Sequence, residues 1–188
     1  MSYLRIGMSI VALTLCAPLA LAAKPKGAIN VGDKLQALAN LHPDMNKHLL
    51  YTLNYQLPAL IPVCSEVTVT KISKKAMAFT HQGLEYQIAY DGFTKDAGVS
   101  FEQAVLTYFG PACDKAKMQK LGADDQEGIR TGKPKVGMTR DGILFAMGRP
   151  PVHANPDVNG AQYRYWKNRF ATEVIEFDAK GKVTNIVQ

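Results

Sequence analysis

Apolar positions along this chain follow two periods, after an opening run that follows neither. Met8 to Leu21 is almost wholly apolar. From Leu49 the period is two. Leu49–Tyr55 predicts a strand, bracketed afterwards by Pro58 and Pro62. Glu66–Ile72 alternates, with Val67, Val69 and Lys71 on one face and Thr68, Thr70 and Ile72 on the other. Ser73-Lys74-Lys75 is a polar turn, Ala76–Thr80 a further strand, His81-Gln82-Gly83 a second turn, and Leu84–Tyr90 the returning strand. Short strands at this spacing predict a small curled antiparallel sheet.

Helical spacing appears elsewhere. Asp33 is placed to cap a short helix carrying Leu35, Leu38 and Leu41, stopped by Pro43. Ser100 with Gln103 is a capping box. It opens a helix carrying Phe101, Ala104, Val105 and Phe109 and ending at Gly110-Pro111. Asp114–Gly122 predicts another short helix. Ala123 to Gly128 is acidic and polar, and the stretch to Pro134 reads as a connector. Thr139 caps a helix with Ile143, Leu144 and Met147 on its apolar face and Gly148 closing it. Gly142 is a flaw there, costing about 1 kcal/mol against Ala.

After a loop from Pro150 to Gly160 come three strands: Gln162–Lys167, Ala171–Phe177 and Lys182–Val187. Ala171, Glu173, Ile175 and Phe177 share a face, and Asp178 to Gly181 is a hairpin loop. The expected fold is α+β. A small antiparallel β half with one helix (49–122) follows an N-terminal lead (23–48). A linker (123–135) leads to a helix plus three-stranded antiparallel meander (136–188).

Composition adds an address. Arg5, the apolar run and the small-x-small site Ala20-Leu21-Ala22 have the layout of a secretory signal, residues 1–22. No later stretch is apolar enough to span a bilayer, so the mature chain is expected to lack a transmembrane segment. Cys16 lies inside the run, as a lipidated cysteine would. However, Leu15 precedes it and the run continues beyond it, which favours a free periplasmic product. Cleavage removes one basic residue, Arg5, and lowers the formal charge from +6 to +5. A mildly basic exported protein suits anionic envelope surfaces, and no basic block suggests nucleic acid. The two remaining cysteines, Cys64 and Cys113, are read as a disulfide in an oxidising compartment. The loop closed would be worth on the order of 3–4 kcal/mol. Two free buried thiols, or a nucleophile at Cys64, are the alternatives.

Gly137-Met138-Thr139, the short helix, Gly148-x-Pro150, the strand with Tyr165-Trp166, and Phe177-Asp178-x-x-Gly181-Lys182-Val183 together resemble the SmpA/OmlA (BamE-like) domain. The resemblance implies helices against a three-stranded antiparallel sheet, and a non-enzymatic interaction module of the bacterial envelope, at the outer membrane. The chain departs from that pattern in lacking a lipid-attachment signal and in carrying Gly142 where Gln or Glu is common. Ile61-Pro62-Val63 and Glu66–Val69 more loosely resemble an SH3-like strand pair, which implies cell-wall polymer or peptide binding.

No catalytic set, cofactor or metal is expected. Cys64 with His81 or His153 lacks an orienting acid or amide. His42, His48, His81 and His153 have no metal spacing. Asp124, Asp125 and Glu127 read as a solvated acidic turn rather than a calcium loop, and Gly137, Gly142 and Gly148 do not form a phosphate loop. The candidate binding surface is Arg149, His153, Arg164, Trp166, Lys167 and Arg169, because Arg and Trp dominate binding hot spots. Its partner would be an envelope protein or an anionic envelope surface. The surface requires Tyr163 and Tyr165 to face the core and Trp166 to face outward; otherwise Trp166 is core. A groove lined by Tyr51, Tyr55 and Tyr90 would favour polymer or peptide binding instead.

Overall fold

A computed structural model describes residues 28–188; the signal segment expected at 1–22 lies outside the described residues. The fold is α+β, with a curled sheet of six strands, a second sheet of three strands, and five helices among the described residues.

The larger sheet comprises β1 (Lys34–Ala37), β2 (Leu49–Tyr51), β3 (Glu66–Ile72), β4 (Ala76–His81), β5 (Leu84–Ala89) and β6 (Phe109–Gly110). Its order is β2-β5-β4-β3-β1-β6. The β3-β4-β5 meander follows from alternation. Val67, Val69, Met77, Phe79, Tyr86 and Ile88 bury one face. Ser73 Oγ accepts from Ala76 N at the first turn. Gln82 and Gly83, both at positive φ, make the tight second turn.

Five expectations are corrected here. Asp33 to Leu41 is not helical: β1 pairs with β3 and β6, burying Leu35 and Ala37. The sheet is not wholly antiparallel, since β2 runs parallel to β5. The strand expected over Leu49–Tyr55 stops at Tyr51, and Asn54 takes a left-handed φ of 49°. A bulge between Val69 and Lys71 breaks the alternation, leaving both Lys71 and Ile72 exposed. The capping box at Ser100 forms as expected, but its helix, α2 (Phe101–Leu106), ends early. Phe109 then joins β6, where its fully buried ring meets Phe79 edge-on.

One unexpected helix and two expected features complete this half. Helix α1 (Gly92–Asp96) is capped by Asp91, and α3 (Lys115–Gln119), which was expected, by Asp114. Cys64 and Cys113 are bridged, with Cα atoms 5.3 Å apart, tying the entry to β3 to the exit from β6.

The segment read as a connector forms helix α4 (Ala123–Thr131), closed by Gly132 in the left-handed conformation. It packs on α5 (Arg140–Met147), capped by Thr139 as expected. Together they cover β7 (Gln162–Trp166), β8 (Thr172–Phe177) and β9 (Val183–Val187), an antiparallel sheet of that order. Ile129, Met138, Ile143, Met147, Tyr163, Tyr165, Ile175 and Phe177 form its core. Asp125 is no solvated residue: it is 1 % exposed, and its Oδ1 accepts from Thr139 N at 2.6 Å. Gly142 leaves room for that carboxylate, since a Cβ there would lie 1.9 Å from Asp125 Oδ1.

The sheet's edges are blunted. Asn155 covers β7, accepting from Arg164 N at 2.7 Å and donating to Arg164 O at 2.9 Å. Gly137 and Met138 exchange hydrogen bonds with Val183 at the start of β9.

A buried polar seam joins the two hydrophobic clusters. Asn40 Nδ2 donates to Ile129 O and Ala146 O, and its Oδ1 accepts from Val63 N. Asn54 Nδ2 donates to Met147 O and its Oδ1 accepts from His42 N. His42, 4 % exposed, sets Nδ1 2.9 Å from Leu57 O. A satisfied network of this kind holds one relative arrangement of the halves, because each lost partner strands a buried group.

Candidate functional site

An open hollow of about 630 Å³ lies where the larger sheet meets the β7–β8 hairpin. Tyr51 ends β2, Tyr55 follows four residues on, and Tyr90 leaves β5; these three rings form its walls. Phe93 and Asp96 enter from α1, and Arg169 from the β7–β8 turn. Tyr51 and Tyr55 meet edge to face at 5.7 Å. Each is half-buried, so part of each ring remains open. Gln56 N donates to Trp166 O at 2.8 Å, which brings the hairpin to this edge.

The groove's rigidity comes from Asp91. Its Oδ1 accepts from Thr94 N, and its Oδ2 accepts from Thr52 Oγ1 at 2.6 Å and Thr94 Oγ1 at 2.7 Å. This clamps α1 to the end of β2. Tyr90 Oη donates to Val99 O, which fixes that ring. Burial pushes the Tyr55 hydroxyl pKa up; Asp91 pushes in the same direction and Arg169 opposes it. Tyr55 is therefore a neutral hydrogen-bonding phenol at ordinary pH.

Phe93 continues the aromatic surface. It stacks on His153 with centroids 5.0 Å apart, and His153 lies 4.7 Å from Trp166. Burial lowers the His153 pKa, and Asp91 partly offsets it. Phe170, 96 % exposed, stands at the hairpin tip. Asn168 Oδ1 holds that tip by accepting from Phe170 N and Ala171 N.

The strand faces as the candidate surface requires: Tyr163 and Tyr165 are buried, while Arg164 and Trp166 are half-exposed on the other face. The six candidate residues do not all converge. His153 and Trp166 share the aromatic cluster, and Arg169 lines the tyrosine groove. Lys167 is engaged with the buried Glu173 at 3.4 Å. Arg149 lines a small hollow with His153 and borders another with Leu38, Leu144 and Val158, but does not line the tyrosine groove. Tyr51, Tyr55 and Tyr90 meet as one groove. Phe93 and Asp96 were missed. The only signal in the sequence was a lone aromatic in the polar segment Gly-Phe-Thr-Lys-Asp.

No family model matches the chain, and neither a curated protein nor a solved structure matches it.

The bridge leaves Cys64 without a thiolate, so in this oxidised form it is not the nucleophile considered above. No group of three metal-ligating side chains occurs among the described residues, and none of their helices is long and apolar enough to cross a membrane. A second hollow, of about 530 Å³, lies beside Ile29, Ile72 and Phe101. It lacks the first groove's set of open aromatic rings around a free cation. What the tyrosine groove offers is ring faces, phenol hydroxyls and one guanidinium, which suit binding.

Proposed function

We propose that this protein is an exported, non-catalytic binding module of the bacterial cell envelope that holds a cell-wall polymer in the tyrosine groove. The observation that carries the reading is the convergence of Tyr51, Tyr55 and Tyr90 with Arg169 in one open hollow. An open groove suits a chain that runs past the site better than a small molecule, which is normally enclosed. The disulfide accords with an oxidising compartment. The resemblance of 136–188 to SmpA/OmlA domains supports the same compartment and a scaffolding role for that half. It is also the basis for a second reading, in which an envelope protein or anionic surface docks on the aromatic cluster of Phe93, His153 and Trp166.

Co-sedimentation with purified peptidoglycan sacculi tests the first reading. The mature chain is expected to pellet with the sacculi, and Tyr51→Ala/Tyr55→Ala to remain in the supernatant. Equal pelleting of the two proteins, or of neither, rejects the groove as the polymer site. In vivo crosslinking that recovers a single envelope protein through Trp166 would support the second reading.

A further inference from the structure

The groove sets a pair of opposite charges among aromatic rings. Asp91 is fully engaged by Thr52 and Thr94. Arg169 and Asp96 line the same hollow, and neither side chain has a hydrogen bond or ion pair among the described residues. The hydroxyls of Tyr51 and Tyr55 likewise lack partners there, as does the Trp166 indole N–H nearby. The site thus presents one open cation, one open anion, and several neutral donors beside aromatic faces.

Each ligand class meets this pair differently. An uncharged glycan gains stacking but uses neither charge. A polyanion meets Arg169 favourably and the carboxylates of Asp91 and Asp96 unfavourably, and a polycation the reverse. An extended peptide with one carboxylate and one ammonium uses both. Its backbone carbonyls also accept from the phenol hydroxyls, which an aromatic groove requires to fix register. We infer that the groove binds the zwitterionic peptide portion of the wall polymer, with Arg169 holding a carboxylate and Asp96 an ammonium group. This rests on the reading of the groove as the polymer site. Arg169 is suited to its part because a guanidinium pairs with a carboxylate through two parallel hydrogen bonds. Asp96, at the end of α1, is placed by the same cap that Asp91 provides.

The test is titration of the mature chain, read by fluorescence of Trp166, its sole tryptophan, and by calorimetry. Three probes are used: the tetrapeptide N-acetyl-Ala-γ-D-Glu-Lys-D-Ala, the same peptide acetylated on the lysine, and chitotetraose as a neutral glycan. The first peptide is expected to bind, and acetylation to weaken it about two- to fivefold, as losing one exposed charge pair would. Arg169→Gln should weaken the free peptide by a similar factor. Asp96→Asn should weaken it too, and should abolish the difference between the free and acetylated peptides. Both positions are exposed, so the variants retain the wild-type circular dichroism. If chitotetraose binds as tightly as the peptide and neither substitution matters, the peptide assignment is overturned while the groove stands as a glycan site. If sacculi bind but neither probe does, the assignment is also overturned. If sacculi fail as well, the polymer reading falls with it.

Discussion

Gly142→Ala separates helix propensity from packing in opposite directions. In an isolated helix the change stabilises by about 1 kcal/mol. Here the new methyl would sit 1.9 Å from Asp125 Oδ1 and 2.6 Å from its Cγ. Asp125 is buried and cannot swing into solvent. Moving it strips Thr139 N and Oγ1 of their acceptor. Hydrogen bonds to a charged group are worth about 1.5–3 kcal/mol, and overpacking costs about 1–3 kcal/mol. Less the propensity gain, the net loss is about 1.5–5 kcal/mol, equivalent to a Tm drop of roughly 3–20 °C for a chain of this size. Urea unfolding of the mature protein, followed by circular dichroism, measures it. Asp125→Ala removes the obstacle, so the double variant should lose much less than the sum of the two single losses. A Gly142→Ala protein as stable as wild type, or additive effects in the double variant, would refute the packing argument.

Three further outcomes follow from the same structure. Replacing Cys64 and Cys113 together by Ser should lower stability by about 3–4 kcal/mol, checked by urea unfolding; an unchanged midpoint would show that the bridge does not constrain the unfolded chain. Burial holds the His42 pKa below its ordinary value of 6.5, so the unfolded chain takes up its proton first as pH falls. His42 therefore makes stability complete above about pH 7 and diminishing as pH drops below 6.5, and His42→Gln should flatten that slope in a pH series of thermal melts. Asn40→Ala strands Val63 N and removes one of the two donors to each of Ile129 O and Ala146 O, and should cost about 1–3 kcal/mol; a loss under about 0.5 kcal/mol would mean the seam does not couple the halves.

Much of the fold is visible in local pattern because it is locally determined. Strands β3 to β5 and β7 to β9 are runs of five to seven residues set off by turns, with alternation clear in β7 and β8 and broken at the β3 bulge, and α5 has its cap and stop in sequence. The misreadings occur where tertiary contacts overrule a weak local signal. Leu35, Leu38 and Leu41 have helical spacing, yet four residues are drawn into β1 by pairing with β3 on one side and β6 on the other. Helix α4 was hidden because it buries Asp125 and Gly128 with Ile129, not an apolar stripe. Gly142 reads as a defect until Asp125, seventeen positions earlier, is seen to need its space.

The site shows the same division. Tyr51, Tyr55 and Tyr90 could be named from sequence as a potential groove, since all three lie within or at the end of predicted strands. Arg169 was placed with the other cations of its strand, but Asp96 could not be matched to it, because the two come from elements more than seventy residues apart. Lys167 illustrates the converse: a candidate contact by composition, it is already held by a buried Glu173.

The central claim is that the tyrosine groove is where the envelope ligand lies. Nuclear magnetic resonance of the labelled mature protein, titrated with soluble fragments of muramidase-digested wall, tests this residue by residue. The account predicts shifts at Tyr51, Tyr55, Phe93, Asp96 and Arg169, with the hollow beside Ile72 and Phe101 unmoved. Shifts confined to that second hollow, or none at saturating fragment, would contradict it.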